Sequence, residues 1–237
     1  MQNAPVDVAT VSQRDPLLCT ECGHLLDGFL AFHLCPKCHS PQLLREGETY
    51  FDAFGVPVQF DLDRGVIEKR FYEISRALHP DRFVSAPAHH RAQSMSRMSF
   101  LNQAFQTLKN PTALRELMLS LYGVRTQMGI LPSHQQKKVP IPVEIAESWF
   151  ELQELVVENP ASSRPKVAEF EAELKNLRTQ GEAHLKALET QFDRLPRELS
   201  PELLAILSQI DAELQKQNYF RSIEKDVERI KRNAHSD

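Results

Sequence analysis

The chain has 237 residues, 41% of them apolar and 25% charged, a composition that can bury a core and suits one to three small domains. A formal charge of −4 and a pI near 6.2 leave no global basic field, which argues against nucleic acid as a partner. No run approaches the roughly 18 apolar residues that span a bilayer, so no membrane is expected.

Residues 1–16 have no charged stretch followed by an apolar one, as an export signal would. Arg14 is their single arginine and stands against Asp7 and Asp15, unlike an arginine-rich, acid-poor mitochondrial presequence. The expectation is a disordered tail over 1–16 on a soluble protein of the bacterial cytoplasm.

All four cysteines follow within twenty residues, as Cys19-x2-Cys22-x12-Cys35-x2-Cys38. Each x2 pair aims two thiolates at one point, and two such knuckles close a tetrahedral S4 shell around zinc. With every position filled by protein, the metal is structural, and its binding supplies much of the folding free energy of a module this small. Gly23 suits the tight turn after one pair. Phe29, Leu30, Phe32 and Leu34 are expected to form a short hairpin packed on the site. His24, His33 and His39 read as bystanders, one of them a candidate hydrogen-bond partner for a thiolate. Iron in a rubredoxin-like site uses the same ligands. Cys35-Pro36-Lys37-Cys38-His39 is also formally a haem-attachment pattern, and a thiol-exchange site would use one pair at a helix start.

The next stretch is built around His79-Pro80-Asp81. A short helix over Tyr50 to Phe54 should end at Gly55, and Asp61 or Asp63 should cap a long helix running to Leu78. Ile67, Phe71, Ile74 and Leu78 give that helix one apolar side, with Lys69, Tyr72, Glu73 and Arg76 opposite. Pro80 lacks an N–H and disfavours the α conformation at His79, so the helix stops there. A loop to about Pro87 leads to a second long helix from about His89 to Leu108, with Met98, Leu101, Phe105 and Leu108 as its stripe. Asn110-Pro111 then starts a final short helix carrying Leu114, Leu117 and Leu121. As an acid–base pair His79 and Asp81 would need side chains that meet and a nucleophile beside them, and a spacing of two residues across a proline guarantees neither.

From 124 to 142 the pattern breaks at Gly129, Pro132, Pro140 and Pro142, which reads as a linker. Val143 to Glu158, Pro165 to about Phe192, and Pro201 to about Arg232 then read as three amphipathic helices joined by short connections, an antiparallel bundle. The third stripe skips a beat between Leu214 and Phe220. Trp149-Phe150 and Tyr219-Phe220 are consecutive aromatics, so one of each pair is expected at the surface.

Phe51-Asp52-Ala53-Phe54-Gly55 before the first long helix and FLNQAFQTLKNP from Phe100 to Pro111 at the end of the second resemble a J-domain. That run, together with LMLSLYG from Leu117 to Gly123, resembles more narrowly the HscB type, co-chaperones of iron–sulfur cluster assembly. The likeness extends more weakly over most of the chain from Cys19. It implies a mainly α protein with a zinc-ribbon-like tetracysteine module over 17–46, a four-helix J-domain over 48–123 and a three-helix bundle over 143–234. It implies no catalysis on this chain. His79, Pro80 and Asp81, with Lys69 and Arg76 on the preceding helix, would contact a DnaK/HscA-type ATPase; Glu73 dilutes this face relative to many J-domains. The bundle would present Ala146, Trp149, Phe150, Glu151, Glu154 and Tyr219 to an IscU-type iron–sulfur scaffold protein, although Ala146 stands where the family usually has a larger apolar residue. Some members carry a tetracysteine metal module ahead of the J-domain and others lack it. Two other functions fit the residues: a J-domain co-chaperone for a different client, and a redox or haem protein built on the cysteine pairs.

Overall fold

A computed structural model of the chain describes residues 17–124 and 143–233. The expected tail over 1–16 lies outside this range, as does the expected linker apart from Val124. The fold is mainly helical: α1 Tyr50–Phe54, α2 Arg64–Leu78, α3 Ala88–Lys109, α4 Pro111–Leu121, α5 Val143–Glu158, α6 Pro160–Arg194 and α7 Pro201–Asn233. The described residues fall into two compact units, α5 to α7 forming most of the second.

In the first unit several helix ends have a residue that explains them. Five residues are too few for a stable isolated helix. In α1 a capping box holds the start, with the Asp52 N–H on Thr49 Oγ1 at 3.2 Å and the Thr49 N–H on Asp52 Oδ2 at 2.8 Å. Phe51 and Phe54 are buried beneath it, each contributing about 1.5–3 kcal/mol. Gly55 closes α1 in the left-handed region at φ 56°, which costs glycine nothing. Asp63 caps α2 through the Val66 N–H at 3.1 Å, and Asn110 caps α4 through Thr112 and Ala113.

Helices α2 and α3 run antiparallel. Phe71 stacks on Phe105 with centroids 4.2 Å apart, and the Ser94 hydroxyl donates to the Leu78 carbonyl at the last turn of α2. Ile67, Ile74, Leu78, Leu101, Leu108 and Met118 are fully buried between the helices. This hairpin places the turn at 79–83 at its tip.

The segment ahead of α1 contains isolated antiparallel bridges at Leu18–Leu25 and Leu34–Pro41. The expected hairpin of Phe29 to Leu34 is replaced by turns. The aromatics there are used against the helices instead: the Arg70 guanidinium lies over Phe29 at 5.1 Å, and those of Arg45 and Arg97 lie over Phe32 at 3.9 and 5.4 Å.

The second unit is a three-helix bundle. Ile145, Trp149 and Leu152 of α5, Val167, Phe170 and Leu174 of α6, and Phe220, Ile223 and Val227 of α7 form one core. Ion pairs Glu171–Lys231 at 2.8 Å and Arg178–Glu224 at 2.6 Å advance along α6 as they retreat along α7, so these two helices are antiparallel. Helix α6 begins earlier than the sequence predicts. Asn159 caps it, accepting from the Ser162 N–H at 3.3 Å, and Pro160 takes the first helical position. Pro165 lies inside the helix, where it forfeits one backbone bond.

The skipped beat in α7 is filled by Gln217, buried with Glu213 and donating to it at 2.9 Å. Both lie against Gly181 of α6, where an added Cβ would meet Gln217 Nε2 at 1.8 Å and Glu213 Oε1 at 2.4 Å. A leucine there must displace two buried polar groups, so Gly181→Leu is expected to destabilise the bundle by roughly 1–3 kcal/mol. Urea denaturation followed by circular dichroism reads this out; an unchanged midpoint would show that the polar pair moves aside freely.

Candidate functional sites

His79, Pro80 and Asp81 come together at the tip of the α2–α3 hairpin. The His79 peptide is extended and ends α2, and Pro80 opens a short 3-10 turn over Pro80–Phe83. Phe83 is buried and anchors that turn, while the Arg82 N–H closes it on the His79 carbonyl at 2.9 Å. The anchoring leaves the side chains of His79 and Asp81 58% and 85% exposed, with Nδ1 and Oδ2 at 3.5 Å. The two side chains therefore do approach each other, at the surface. Beside them on α2 is a groove lined by Lys69, Tyr72, Glu73, Arg76, Ala77 and Arg82. Arg82 adds a third cation to the Lys69 and Arg76 singled out from the sequence.

The four cysteines form one cluster. Their sulfurs lie within 4.8 Å of one another, with Cys19–Cys38 at 3.6 Å and Cys22–Cys35 at 3.8 Å. A regular tetrahedron of Zn–S bonds near 2.3 Å has edges of about 3.8 Å, so the donor set fits a tetrahedral thiolate metal.

The two knuckles repeat the same backbone. The Cys19 N–H reaches the His24 carbonyl at 2.8 Å and the Cys35 N–H the Ser40 carbonyl at 3.0 Å; Gly23 and His39 donate back to Cys19 and Cys35. The residue after each second cysteine is left-handed, Gly23 at φ 66° and His39 at φ 58°. His39 thus occupies the counterpart of the Gly23 turn. The support at the sulfurs comes from Ser40 Oγ, 3.1 Å from Cys38 and 3.4 Å from Cys19, and from Gln42 Nε2, 3.5 Å from Cys19. Burial works to raise the Cys19 thiol, but Ser40 and the N–H groups of Cys22 and Glu21 outweigh it and bring it down to about 5. A thiolate favoured in this way is a ready metal ligand.

The structure gives His33 a role that the cysteine pattern does not suggest. It is buried between the module and the helices, with Nε2 on the Ala53 carbonyl at 2.7 Å and Nδ1 facing Arg97 Nη1 at 3.2 Å. A guanidinium only donates, so Nδ1 is the acceptor and the proton sits on Nε2. Burial, and then the charge of Arg97, hold the imidazole down at about 3. Arg97 itself is 1% exposed. Its remaining contacts are the Gln42 and Leu43 carbonyls at 2.8 and 2.6 Å and the two Glu48 oxygens at 2.7 and 3.2 Å. All five of its N–H donors are used. The signal available in the sequence was position: Ser94 and Arg97 continue the stripe of Leu101, Phe105 and Leu108 toward the start of α3.

On the bundle, Trp149 is buried and stacks on Phe170 at 5.7 Å, and Tyr219 is partly buried against the same core. Phe150 is 65% exposed, and Glu151 and Glu154 are exposed beside it on α5, with Ala146 partly covered. Of the two consecutive pairs, Trp149-Phe150 turns one aromatic out to the surface, whereas Tyr219 and Phe220 both stay against the core.

No family model matches the chain. The co-chaperone protein HscB of Proteus mirabilis is 44% identical over 75 residues, 32% of this chain and 43% of that protein. The co-chaperone protein HscB homolog of Photobacterium profundum is 36% identical over 125 residues, which are 53% of this chain and 69% of that protein. This chain belongs to the HscB co-chaperone family. The crystal structure of human co-chaperone protein HscB shares the fold, with a TM-score of 0.61 at 21% identity over 91% of this chain and 98% of that one.

This HscB-family chain therefore has a J-type co-chaperone role and carries four cysteines within metal-binding distance of one another. Removing the metal with a strong chelator is expected to open the knuckles, since structural sites of this kind supply on the order of 10 kcal/mol to their own folding. Limited proteolysis should then cut within residues 17–46, while far-UV circular dichroism retains most of its helical signal. Equal resistance with and without chelator would contradict a metal-supported module.

Proposed function

We propose that this protein stimulates ATP hydrolysis by a DnaK/HscA-type chaperone and delivers to it an IscU-type iron–sulfur scaffold protein. Residues 48–123 act as the J-domain, 143–234 as the scaffold-binding bundle and 17–46 as a zinc-stiffened module, in the bacterial cytoplasm. The observation that carries the reading is the His79-Pro80-Asp81 turn, held out by the buried Phe83 with its imidazole and carboxylate facing solvent.

Asp81 offers a carboxylate to a partner arginine, His79 a donor or acceptor, and Pro80 a stiff backbone that loses little entropy on docking. Lys69, Arg76 and Arg82 face acidic partner groups. On this reading the chain carries no chemistry of its own; it biases the partner's conformational equilibrium, and the partner hydrolyses ATP. The direct test is the ATPase rate of such a chaperone titrated with this protein. A saturable rise supports the proposal, and a flat response overturns it.

The charges have their own signature, because surface cations act mainly on encounter. Lys69→Glu combined with Arg76→Glu is expected to slow association with the chaperone by roughly tenfold at low ionic strength, with the difference shrinking as salt screens it. Stopped-flow association rates at several salt concentrations measure this. A defect independent of salt would assign these residues another role.

The scaffold would meet Phe150, Glu151 and Glu154 first, with Ala146 and Tyr219 at the margin and Trp149 supporting from the core. The burial of Trp149 is the observation that favours a second reading, a J-domain co-chaperone with a different client. A pull-down that recovers the chaperone but never the scaffold would select it.

A further inference from the structure

Glu21, between the first two cysteines, faces the first turn of α3. Its Oε1 lies 3.2 Å from His89 Nε2 and 3.8 Å from His90 Nε2. The two imidazoles converge edge-to-face, with centroids 4.4 Å apart. The three donor atoms lie within 4.8 Å of one another.

His90 Nε2 is shut off from solvent and has no hydrogen-bond partner among the described residues; 3.8 Å is too long for one to the carboxylate. A withdrawn polar atom without a partner is unfavourable, because it has given up water and gained nothing in return. A metal ion between the three groups would remove that cost. Two imidazoles and one carboxylate are a borderline-soft donor set suited to zinc and neighbouring divalent transition metals. Bonds of about 2.0–2.2 Å in a tetrahedron put donors about 3.3–3.5 Å apart, close to the shorter contact of 3.2 Å and reached from the longer one of 3.8 Å by a small shift of His90.

We propose that Glu21, His89 and His90 form a second divalent-metal site, distinct from the four cysteines and left open to water at its fourth position. Glu21 belongs to the first knuckle, and His89 and His90 begin the helix that follows the His79-Pro80-Asp81 turn. A metal here ties the tetracysteine module to the J-domain hairpin near its functional tip.

The test uses the full chain and zinc alone. Equilibrium dialysis against increasing zinc, followed by metal analysis, should show a second, weaker zinc beyond the one held by the cysteines. Glu21→Gln, which keeps size and acceptor but not the charge, and His90→Ala should each abolish the second binding event while the cysteine-bound zinc remains as proof of an intact fold. His184→Ala, in the other unit, should leave both events unchanged. Saturation at the cysteine-bound zinc alone in the unaltered chain overturns the proposal, as does a second zinc that persists in Glu21→Gln and His90→Ala.

Discussion

Arg97→Ala is expected to destabilise the first unit by about 3–5 kcal/mol, because removing one member of a buried ion pair strands the other charge. The Glu48 carboxylate, 2.7 Å from Arg97 with both side chains 1% exposed, would lose its cation. The His33 Nδ1 and the Gln42 and Leu43 carbonyls would lose donors as well. Arg97→Lys tests the geometry apart from the charge, since an ammonium has three donors for a site that uses five; an intermediate loss is expected. The measurement is the urea midpoint of the first unit followed by Tyr and far-UV signals. A loss below about 1 kcal/mol for Arg97→Ala would mean that water or a rearranged Gln42 replaces the guanidinium, and that the module is not pinned through this residue.

Asp81→Asn is expected to abolish stimulation of the chaperone ATPase with no effect on folding. The side chain is 85% exposed, so its replacement by an isosteric amide should move stability by no more than about 0.5 kcal/mol. Losing one partner of a charge pair that is buried on docking costs about 2–5 kcal/mol of binding, enough to remove productive engagement at ordinary concentrations. Equal melting temperatures with lost stimulation is the expected pair of results. Full stimulation by the Asp81→Asn protein would show that the carboxylate is not the contact.

The hairpin that carries this turn was readable because its boundaries are set locally. Asp63, Pro80, Asn110 and Pro111 act through their own side chains or rings within one helical turn, and each ends or starts a helix where that chemistry requires. The cysteine spacing was equally informative, since two x2 knuckles admit few arrangements. What escaped the sequence depends on distant partners. Arg97, Glu48 and His33 look like solvated polar residues until the module folds over α3 and buries all three together. Phe29 and Phe32 sit in a run that suits a short hairpin, yet each lies against an arginine cation on the helical side. Pro165 reads as a helix start, but Asn159 caps the helix well before it and the bundle tolerates the lost bond. Gln217 reads as a break in the stripe of α7 and becomes intelligible only opposite Gly181, a pairing between helices.

The roles assigned to the two ends of the chain meet in one measurement: the steady-state ATPase rate of a DnaK/HscA-type chaperone with this protein, with an IscU-type scaffold, and with both. A rate with both that exceeds the sum of the two separate stimulations is expected if the bundle brings the scaffold to the chaperone that the turn engages. A rate with both that merely equals that sum, or no stimulation by this protein at all, would contradict this account.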